Sequence, residues 1–459
     1  MVTDIMREKE FLPQIAERLG IAELNDMQKR MMATAGQAKD IILLSPTGTG
    51  KTLAFILPML KILRPATGRI QAVVIAPSRE LVMQIAGVLQ KIGAGMKTTP
   101  LYGGHKFEDE ENSLKAGTDI VVATPGRLLD HINRRTIDVL PTRILVLDEF
   151  DKSLELGFET EMKKIVNRLK NVSHTILTSA TRAVDLPAFL NLEKPLTLDF
   201  LGGNEDVRSR TRVHRVDSDG KDKLQTLRTL IANITMPSGE YSRSIIFVNH
   251  RESAERVYEY LRRENVPCVP YHGALDQRDR ETALAQFNSG VRPVMVSTDL
   301  AARGLDIEGV KSIIHYHQPL SAETYTHRNG RTARVQAEGD IYVLVGPDES
   351  VKEYIDFDDT RWLDPEVKLP ERPMQETLYF GAGKKEKLSK GDILGFLVKE
   401  CGLQPDQIGV IDVKDHFALA AVRTDRIGEL LQKMKGAKIK GERRQVSVIS
   451  QPLKTDINC

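Results

Sequence analysis

Ser45-Pro46-Thr47-Gly48-Thr49-Gly50-Lys51-Thr52, set between an apolar run (Ile41 to Leu44) and a helical pattern that begins at Leu53, reads as strand, phosphate loop and helix. Gly48 and Gly50 let the backbone turn tightly with its N–H groups inward, so that they and the helix N-terminus can cradle a triphosphate. Lys51 supplies a point charge for the terminal phosphates, and the Thr52 hydroxyl is placed to ligate magnesium. Ser45 stands where the usual pattern has its first glycine. ATP contacts are expected along the whole loop, from Ser45, Pro46, Thr47, Gly48, Thr49 and Gly50 to Lys51 and Thr52.

A second run, Ile144-Leu145-Val146-Leu147-Asp148-Glu149-Phe150-Asp151, gives that loop a reaction. Four apolar residues predict a buried strand, and two carboxylates emerge at its carboxyl end, where open α/β sheets place their ligands. Asp148 is suited to hold magnesium through water, and Glu149 to orient and deprotonate an attacking water. A lone Asp-Glu after a strand is more often a solvated loop. Beside a phosphate loop, the pair points to an ATPase, with Lys51 and Glu149 as catalytic residues.

At 459 residues the chain exceeds what one core normally supports, and two or three domains are expected. With 65 Lys+Arg against 63 Asp+Glu, bulk charge identifies no partner, so a nucleic-acid surface has to come from local clustering. Cys268, Cys401 and Cys459 lie far apart and form no metal-ligand spacing, which predicts free thiols in a reducing compartment. No stretch approaches the roughly 18 to 20 apolar residues of a membrane span, and the N-terminus has no secretory core. The expectation is a cytoplasmic protein without membrane attachment.

Along the first lobe, Phe11, Ile15 and Leu19 give a helical rhythm broken at Gly20, followed by Asn25-Asp26-Met27-Gln28. The Gln28 carboxamide can both donate to and accept from one edge of an adenine, and Phe11 can pack over the same base. From Gln71 the chain repeats short β-branched strand, polar loop and helix. Val73 to Ile75 leads to Pro77-Ser78-Arg79-Glu80-Leu81, Ile120 to Val122 to Thr124-Pro125-Gly126-Arg127, and Thr175 to Leu177 to Ser179-Ala180-Thr181. Such alternation predicts a parallel sheet covered by helices, with its functional loops at one edge. Loops carrying Pro77, Arg79, Gly103-Gly104, Thr124, Gly126 and Arg127 offer the N–H groups, hydroxyls and guanidinium forks that recognise a nucleic-acid backbone. Each alone is more often a turn or cap.

A boundary falls in the charged, weakly apolar stretch from Gly202 to Asp219. A second α/β lobe then begins, with Ile245 to Val248 as its first clear strand and Ser253 to Leu261 as a helix. Gln277 and Arg280, after His272-Gly273, can meet phosphates, or lie on a solvated helix face. Ser297-Thr298-Asp299 through Arg303-Gly304-Leu305-Asp306 follows the strand Val294 to Val296, and His327-Arg328-Asn329-Gly330-Arg331-Thr332-Ala333-Arg334 packs three arginines around a glycine.

Pro365, Pro370 and Pro373 mark a stiff connector, after which a β-α-β-β-α-β order follows. Its elements are a strand from Thr377 to Phe380, a helix from Asp392 to Cys401, strands from Ile408 to Val413 and Phe417 to Val422, a helix from Asp425 to Met434 and a strand from Gln445 to Ile449. From Gly381 to Cys459 there are 15 Lys+Arg against 10 Asp+Glu, so positive charge is concentrated here. The topology suits an RNA-recognition fold, yet the aromatic signature of its central strands is missing, with only Phe417 in a plausible position.

In order and content these motifs resemble the DEAD-box RNA helicases of helicase superfamily 2, from Phe11 to about Arg334. Phe150 replaces the name-giving alanine, Asn25 to Met27 lack the usual proline, Asn329 replaces an isoleucine or valine, and Ala333 replaces a glycine. The resemblance implies that Thr298 contacts the RNA backbone and that Asp306 reaches the ribose of ATP. It also implies that Arg331 and Arg334 are fingers for the γ-phosphate, and that Asp151, Ser179, Thr181 and His327 couple ATP state to lobe closure. The segment from about Leu378 to Ile449 looks like the C-terminal domain of the DbpA subfamily, which directs that subfamily to a hairpin of large-subunit (23S) ribosomal RNA. Lys384, Lys385, Lys387, Lys438, Lys440, Arg443 and Arg444 are candidate phosphate contacts.

The combined expectation is an α/β chain with two RecA-like parallel-sheet domains in tandem plus a small C-terminal α+β RRM-like domain. The boundaries are 1–205 and 206–365 for the helicase lobes, 366–376 for the linker, 377–450 for the third domain and 451–459 for a tail. The implied function is an RNA-dependent ATPase that uses ATP and Mg2+, opens short duplexes, and acts as a monomer on 23S ribosomal RNA and pre-ribosomal particles. Two other readings stay open: an ATP-gated RNA clamp or assembly scaffold, and a DNA translocase, which the second-lobe motifs match less well.

Overall fold

Runs such as Ala72-Val73-Val74-Ile75 and Ile144-Leu145-Val146-Leu147 are apolar at every position, a pattern that suits strands buried on both faces and little else. The computed structural model describes residues 8–46, 48–104, 106–182, 186–201, 210–235, 239–301, 307, 309–332, 338–371, 375–423, 427–435 and 438–449, and it places these runs at the centre of parallel sheets. The chain forms two compact units, the first chiefly residues 1–209 and the second residues 210–303 with 307–459.

In the first unit, α1 (Glu8–Leu19) and α2 (Asp26–Thr34) precede β1 (Asp40–Leu44), α3 (Lys51–Ile62), β2 (Ala72–Ile75), α4 (Arg79–Ile92), β3 (Thr98–Leu101) and α5 (Phe107–Lys115). Then come β4 (Ile120–Ala123), α6 (Pro125–Asn133), β5 (Ile144–Leu147), α7 (Phe150–Glu155), α8 (Glu159–Val166), β6 (His174–Ser179) and β7 (Leu196–Asp199). The strands form one parallel sheet in the order β3-β4-β2-β5-β6-β1-β7. Side chains alternate between its faces. Val74, Val122 and Val146 enter one core with α3 and α4, whereas Val73, Ile75, Val121, Leu145 and Leu147 enter the other with α6 and α8. Every loop from a strand to the next helix therefore emerges at the same edge.

The second unit contains β8 (Thr211–Asp217), α9 (Leu224–Asn233), β9 (Ser244–Phe247), α10 (Arg251–Arg263), β10 (Cys268–Tyr271), α11 (Gln277–Asn288) and β11 (Val294–Ser297). It continues with β12 (Ser312–His315), α12 (Ala322–Asn329), β13 (Gly339–Val345) and the two-residue edge strand β14 (Asp359–Thr360). The sheet order β10-β11-β9-β12-β13-β8-β14 repeats that of the first unit strand for strand. The lobe thus begins one strand before Ile245. Thr211–Asp217 mixes buried Val213 and Val216 with exposed charges, so its weak apolar pattern reads as a linker although β13 and β14 flank it.

The same unit carries a four-stranded antiparallel sheet built from β15 (Gln375–Phe380), α13 (Lys390–Lys399), β16 (Ile408–Val413), β17 (Ala418–Arg423), α14 (Ile427–Met434) and, after a small hairpin of β18 (Lys438–Ile439) and β19 (Glu442–Arg443), β20 (Val446–Val448). Its order is β16-β17-β15-β20. Leu378, Phe380, Ala418, Ala420 and Val422 face α13 and α14. On the opposite face Tyr379, Phe417, Leu419 and Ile449 pack with Ala285 of α11, and the Arg278 guanidinium lies 4.6 Å from the Tyr379 ring centre and 5.9 Å from that of Phe417. Gln286 Nε2 donates to the Ile449 carbonyl at 3.3 Å, and Arg292 lies 3.8 Å from Glu376. The sheet of the third module is thereby seated on the second lobe.

Cys268 and Cys401 are buried free thiols, and no helix among the described residues is long and apolar enough to cross a membrane.

One ionic contact of a buried imidazole with two half-exposed carboxylates ties the edge strand to the lobe. His214 of β8 faces Asp359 through Nδ1 at 2.7 Å and Asp340 through Nε2 at 3.0 Å, and its ring stacks on Tyr342. Ionised carboxylates only accept, so the two contacts together favour the imidazolium, in which both ring nitrogens donate. The bond to Asp340 first, and that to Asp359 with it, raise the His214 pKa against the opposing effect of burial. A group with a raised folded pKa contributes stability that is fully present below its unfolded pKa of about 6.5 and is lost as pH rises through the folded value. Thermal melts of wild type and His214→Gln should therefore differ most near pH 6, on the order of 2 to 4 °C for an interaction of ~1 kcal/mol, and converge toward pH 9. A gap that widens with pH would contradict the imidazolium.

Candidate functional site

The phosphate loop leaves the carboxyl end of β1, and α3 starts at Lys51, two residues before the apolar pattern itself begins. Gly48 and Gly50 have φ of 81° and 89°, the left-handed region that glycine enters without strain. Ser45, fully buried in place of the usual glycine, holds the loop by its hydroxyl, 2.7 Å from Thr49 Oγ1, which donates to the Pro46 carbonyl at 2.9 Å. The Lys51 side chain is 7% exposed, and its Nζ has no hydrogen-bond partner among the described residues. Thr52 follows in the first turn of the helix.

The segment before β1 clasps this loop from outside. Asn25 caps α2 and forms a capping box with Gln28, donating its N–H to Gln28 Oε1 at 3.0 Å. The far sides of the same two amides reach the loop, Asn25 Nδ2 to the Thr49 carbonyl at 2.9 Å and Gln28 Nε2 to the Gly50 carbonyl at 3.2 Å. Asn25 thus caps α2 and holds the phosphate loop with the same amide. Phe11 lies on α1; its side chain, like Thr47, is outside the described residues.

Asp148 and Glu149 end β5, beside β6, which adjoins β1. Thr178 of β6 donates its hydroxyl to Asp148 Oδ1 at 2.6 Å and accepts the Glu149 N–H at 3.1 Å, fixing both acids. Glu149 has φ 46° and ψ 54°, an uncommon conformation for a residue with a side chain, and its Oε2 is buried without a partner among the described residues. Burial first, and the neighbouring Glu149 charge second, push the Asp148 pKa up to about 6, against the pull of Lys51. Lys51 alone therefore leaves the two acids short of positive charge, a deficit that a divalent cation at Asp148 and Thr52 fits.

Asp151 accepts from the Ala180 N–H at 3.0 Å and faces the Thr181 hydroxyl at 3.4 Å, while Ser179 Oγ donates to the Thr181 carbonyl at 2.8 Å. The acids and the Ser179-Ala180-Thr181 loop are thus wired together. Phe150 is buried in the core beneath them.

Three further loops emerge at this edge from adjacent strands. Pro77 is buried, and Arg79 opens α4 behind the Ser78 cap and lies over Gly103-Gly104, where a side chain on Gly104 would overlap the guanidinium. Thr124 is the N-cap of α6 with no side-chain cap bond, and Gly126 is exposed in the first turn. Arg127 is turned to Glu110, which its Nε approaches at 2.5 Å.

In the second unit Gln277 opens α11 and donates to Glu281 at 3.0 Å, with Arg280 one turn on. Thr298 follows β11, where Ser297 Oγ bonds the Tyr271 carbonyl at 2.6 Å. His327 is buried, with Glu323 Oε1 3.5 Å from its Nε2, and Arg331 is buried just past α12. Asp306, Arg334 and Ala333 lie outside the described residues. Arg328, which the sequence reading left without a role, is fully buried and bonds Asp299 at 2.6 Å, the His317 carbonyl at 2.9 Å and Asn249 at 2.8 Å. Among the basic residues of the third module, Lys384 and Lys385 sit on the loop after β15 and Lys438 and Arg443 on the small hairpin, whereas Lys440 bonds Asp392 at 3.3 Å and Arg444 contacts Glu442 at 2.5 Å.

The family models that match follow the same division: DEAD/DEAH box helicase over residues 25–187, helicase conserved C-terminal domain over 222–336, and DbpA RNA binding domain over 377–448. Among curated proteins, the ATP-dependent RNA helicases DbpA of Bacillus subtilis (strain 168) and Escherichia coli (strain K12) are each 30% identical, covering 94% of this chain and 96% and 95% of their own lengths. Among solved structures, S. cerevisiae Dbp5 bound to RNA and ADP BeF3 is similar with a TM-score of 0.65 at 26% identity, over 74% of this chain and 88% of that one. Mss116p bound to ssRNA and AMP-PNP gives a TM-score of 0.69 at 25% identity, over 80% of each chain. With the phosphate loop, the paired acids and the seated third module all in that order, the chain belongs to the DEAD-box ATP-dependent RNA helicases, in the branch that carries the DbpA RNA-binding domain.

Proposed function

We propose that this helicase opens short duplexes locally in large-subunit (23S) ribosomal RNA during ribosome assembly, as a cytoplasmic monomer guided by its third module. The observation that carries the catalytic half is the Lys51 ammonium, buried beside Asp148 and Glu149 with no acceptor among the described residues. A terminal phosphate is the acceptor that fits it. Lys51 holds that phosphate, Glu149 orients the attacking water and takes its proton, and Asp148 and Thr52 hold magnesium, which when bound neutralises phosphate oxygens. The loop from Ser45 to Thr52 wraps the phosphates, Gln28 and Phe11 meet the base, and Asp306 meets the ribose. Arg331 and Arg334 take the finger role that the family resemblance gives them, and Asp151, Ser179, Thr181 and His327 couple turnover to RNA.

RNA binding by the helicase lobes is assigned to Pro77, Arg79, Gly104, Thr124, Gly126, Arg127, Gln277, Arg280 and Thr298. Backbone recognition of this kind reads no base, so target choice falls to the third module. Its sheet face is occupied by α11, and Lys384, Lys385, Lys438, Lys440 and Arg443 are left as its RNA contacts.

Three outcomes test these assignments. Glu149→Gln should keep ATP-analogue and RNA binding while steady-state hydrolysis falls by about 10² or more, as for a lost general base; a cellular role that survives that loss would favour the clamp or scaffold reading, in which binding matters and unwinding does not. Replacing Lys384, Lys385, Lys438 and Arg443 together by glutamine in the full chain should abolish the preference for 23S over generic RNA in ATPase stimulation, and an unaltered preference would remove the ribosomal assignment. Gly50→Ala places a Cβ 2.6 Å from Gln28 Nε2 at φ 89°. It should weaken ATP-analogue binding about tenfold by equilibrium titration, and normal binding would show that the clasp is dispensable.

A further inference from the structure

In the acidic run Glu108-Asp109-Glu110-Glu111, which reads as a solvated helix start, only Glu110 is turned inward, at 3% exposure. It lies on the same face of α5 as Leu114, one turn on and also buried, and three donors converge on it, one from the loop after β3 and two from α6. Its Oε1 accepts the backbone N–H of Tyr102 at 2.8 Å, the residue directly before Gly103-Gly104. Its Oε2 accepts from Arg127 Nε at 2.5 Å and from His131 Nε2 at 2.9 Å, both on α6. His131 is fully buried and held from the other side, where Nδ1 meets the Thr136 hydroxyl at 2.7 Å. Phe107, at the start of α5, stacks on the imidazole with ring centres 4.2 Å apart and lies under the guanidinium groups of Arg127 and Arg134 at 4.9 and 4.5 Å.

The two loops that Glu110 joins come from neighbouring strands, β3 and β4, which pair from Thr98 with Ile120 to Leu101 with Ala123. Sheet pairing fixes the strand ends but not the loops beyond them. A backbone site needs its N–H and hydroxyl donors at the spacing of successive phosphates, and an error near 1 Å in such donors is costly. Glu110 supplies a short, charge-assisted link across that gap, one oxygen to each loop.

We propose that Glu110 is a positioning residue for RNA binding: this buried carboxylate sets the spacing between the Gly103-Gly104 loop and the Thr124–Arg127 loop, and Arg127 serves that link rather than neutralising a phosphate. The inference rests on the reading of those two loops as RNA contacts. It changes what Arg127 does. A cation that neutralises a phosphate releases counterions and adds about one unit to the salt dependence of binding, whereas a cation neutralised by Glu110 adds none.

The test is RNA affinity of the full chain with a non-hydrolysable ATP analogue, measured from low to moderate salt, for wild type, Glu110→Gln, Thr136→Val and Thr124→Ala. Glu110→Gln keeps size and an acceptor for the Tyr102 N–H but offers a donor where Arg127 and His131 also donate. The expected result is at least tenfold weaker RNA binding with an unchanged salt slope. In ATPase titrations the RNA concentration for half-stimulation should rise by the same factor, while kcat at saturating RNA and KM for ATP stay within about twofold. A merely structural defect would lower melting temperature, kcat and ATP affinity together. Thr136→Val loosens the His131 ring without touching the carboxylate and should weaken RNA binding in the same way by a smaller factor, which keeps the idea testable if Glu110→Gln does not fold. Unchanged RNA affinity in both variants, or tighter binding with a slope steeper by one in Glu110→Gln, would overturn the proposal, the latter by showing that Glu110 restrains a phosphate-binding Arg127. If Thr124→Ala also leaves affinity unchanged, it is the reading of the loops as RNA contacts that fails.

Discussion

A buried ammonium that no described protein atom accepts is the constraint on which the first unit depends. Taking Lys51 out of water without a partner costs several kcal/mol, and two buried acids nearby attract it without bonding it. That cost is borne by the two cores that pin β1, β5 and β6 side by side, so their carboxyl ends present loop, acids and Ser179-Ala180-Thr181 together. The site is thus held in the charge distribution of the complex before the ligand arrives, the arrangement that electrostatic catalysis requires. Thr178 completes it, since one hydroxyl fixes Asp148 and the backbone of Glu149.

The second unit repeats the strand order with a different result. β8 takes the place of β1, and a lysine, Lys223, again stands at the start of the following helix. There the ammonium is satisfied from within, 2.8 Å from both oxygens of Glu349 and 3.2 Å from the Leu344 carbonyl. A phosphate would have to displace Glu349. Arg328 follows the same logic, joining the loops after β11, β12 and β9 through Asp299, the His317 carbonyl and Asn249. Cations that meet ligands in one lobe meet protein acceptors in the other, and topology alone does not distinguish the two.

That difference sets what the sequence could show. Strands and phosphate loop were legible because burial on both faces demands an unbroken apolar run and a tight phosphate cradle demands glycine at positive φ. β8 was not, because its apolar residues, Val213 and Val216, are three apart and show no strand period, and its place in the sheet rests on backbone pairing with β13 and β14. The sequence has no period that marks Glu110 apart from Glu108, Asp109 and Glu111; the orientation of α5 on the sheet decides which one is buried. Arg127 and Arg328 were visible as arginines but not as bonded ones, since the partners, Glu110 and Asp299, lie 17 and 29 residues away. Long-range pairing of polar side chains is the information that motif spacing lacks.

The missing aromatic signature of the third module has the same kind of explanation. In a four-stranded sheet of this order the central strands β15 and β17 ordinarily offer ring faces to RNA bases. Here the rings at that face, Tyr379 and the adjoining Phe417, stack on each other with centres 5.8 Å apart and receive Arg278 where a base would lie. The rest of the patch is Leu419, Ile449 and Ala285, suited to a protein surface and not to nucleotides. A sheet face that packs against α11 needs no further exposed rings, so the sparse aromatic pattern agrees with the protein contact seen there. Arg278 lies between Gln277 and Arg280 on the same helix, so the contact that seats the module and the groups assigned to RNA in the lobe share one rigid element.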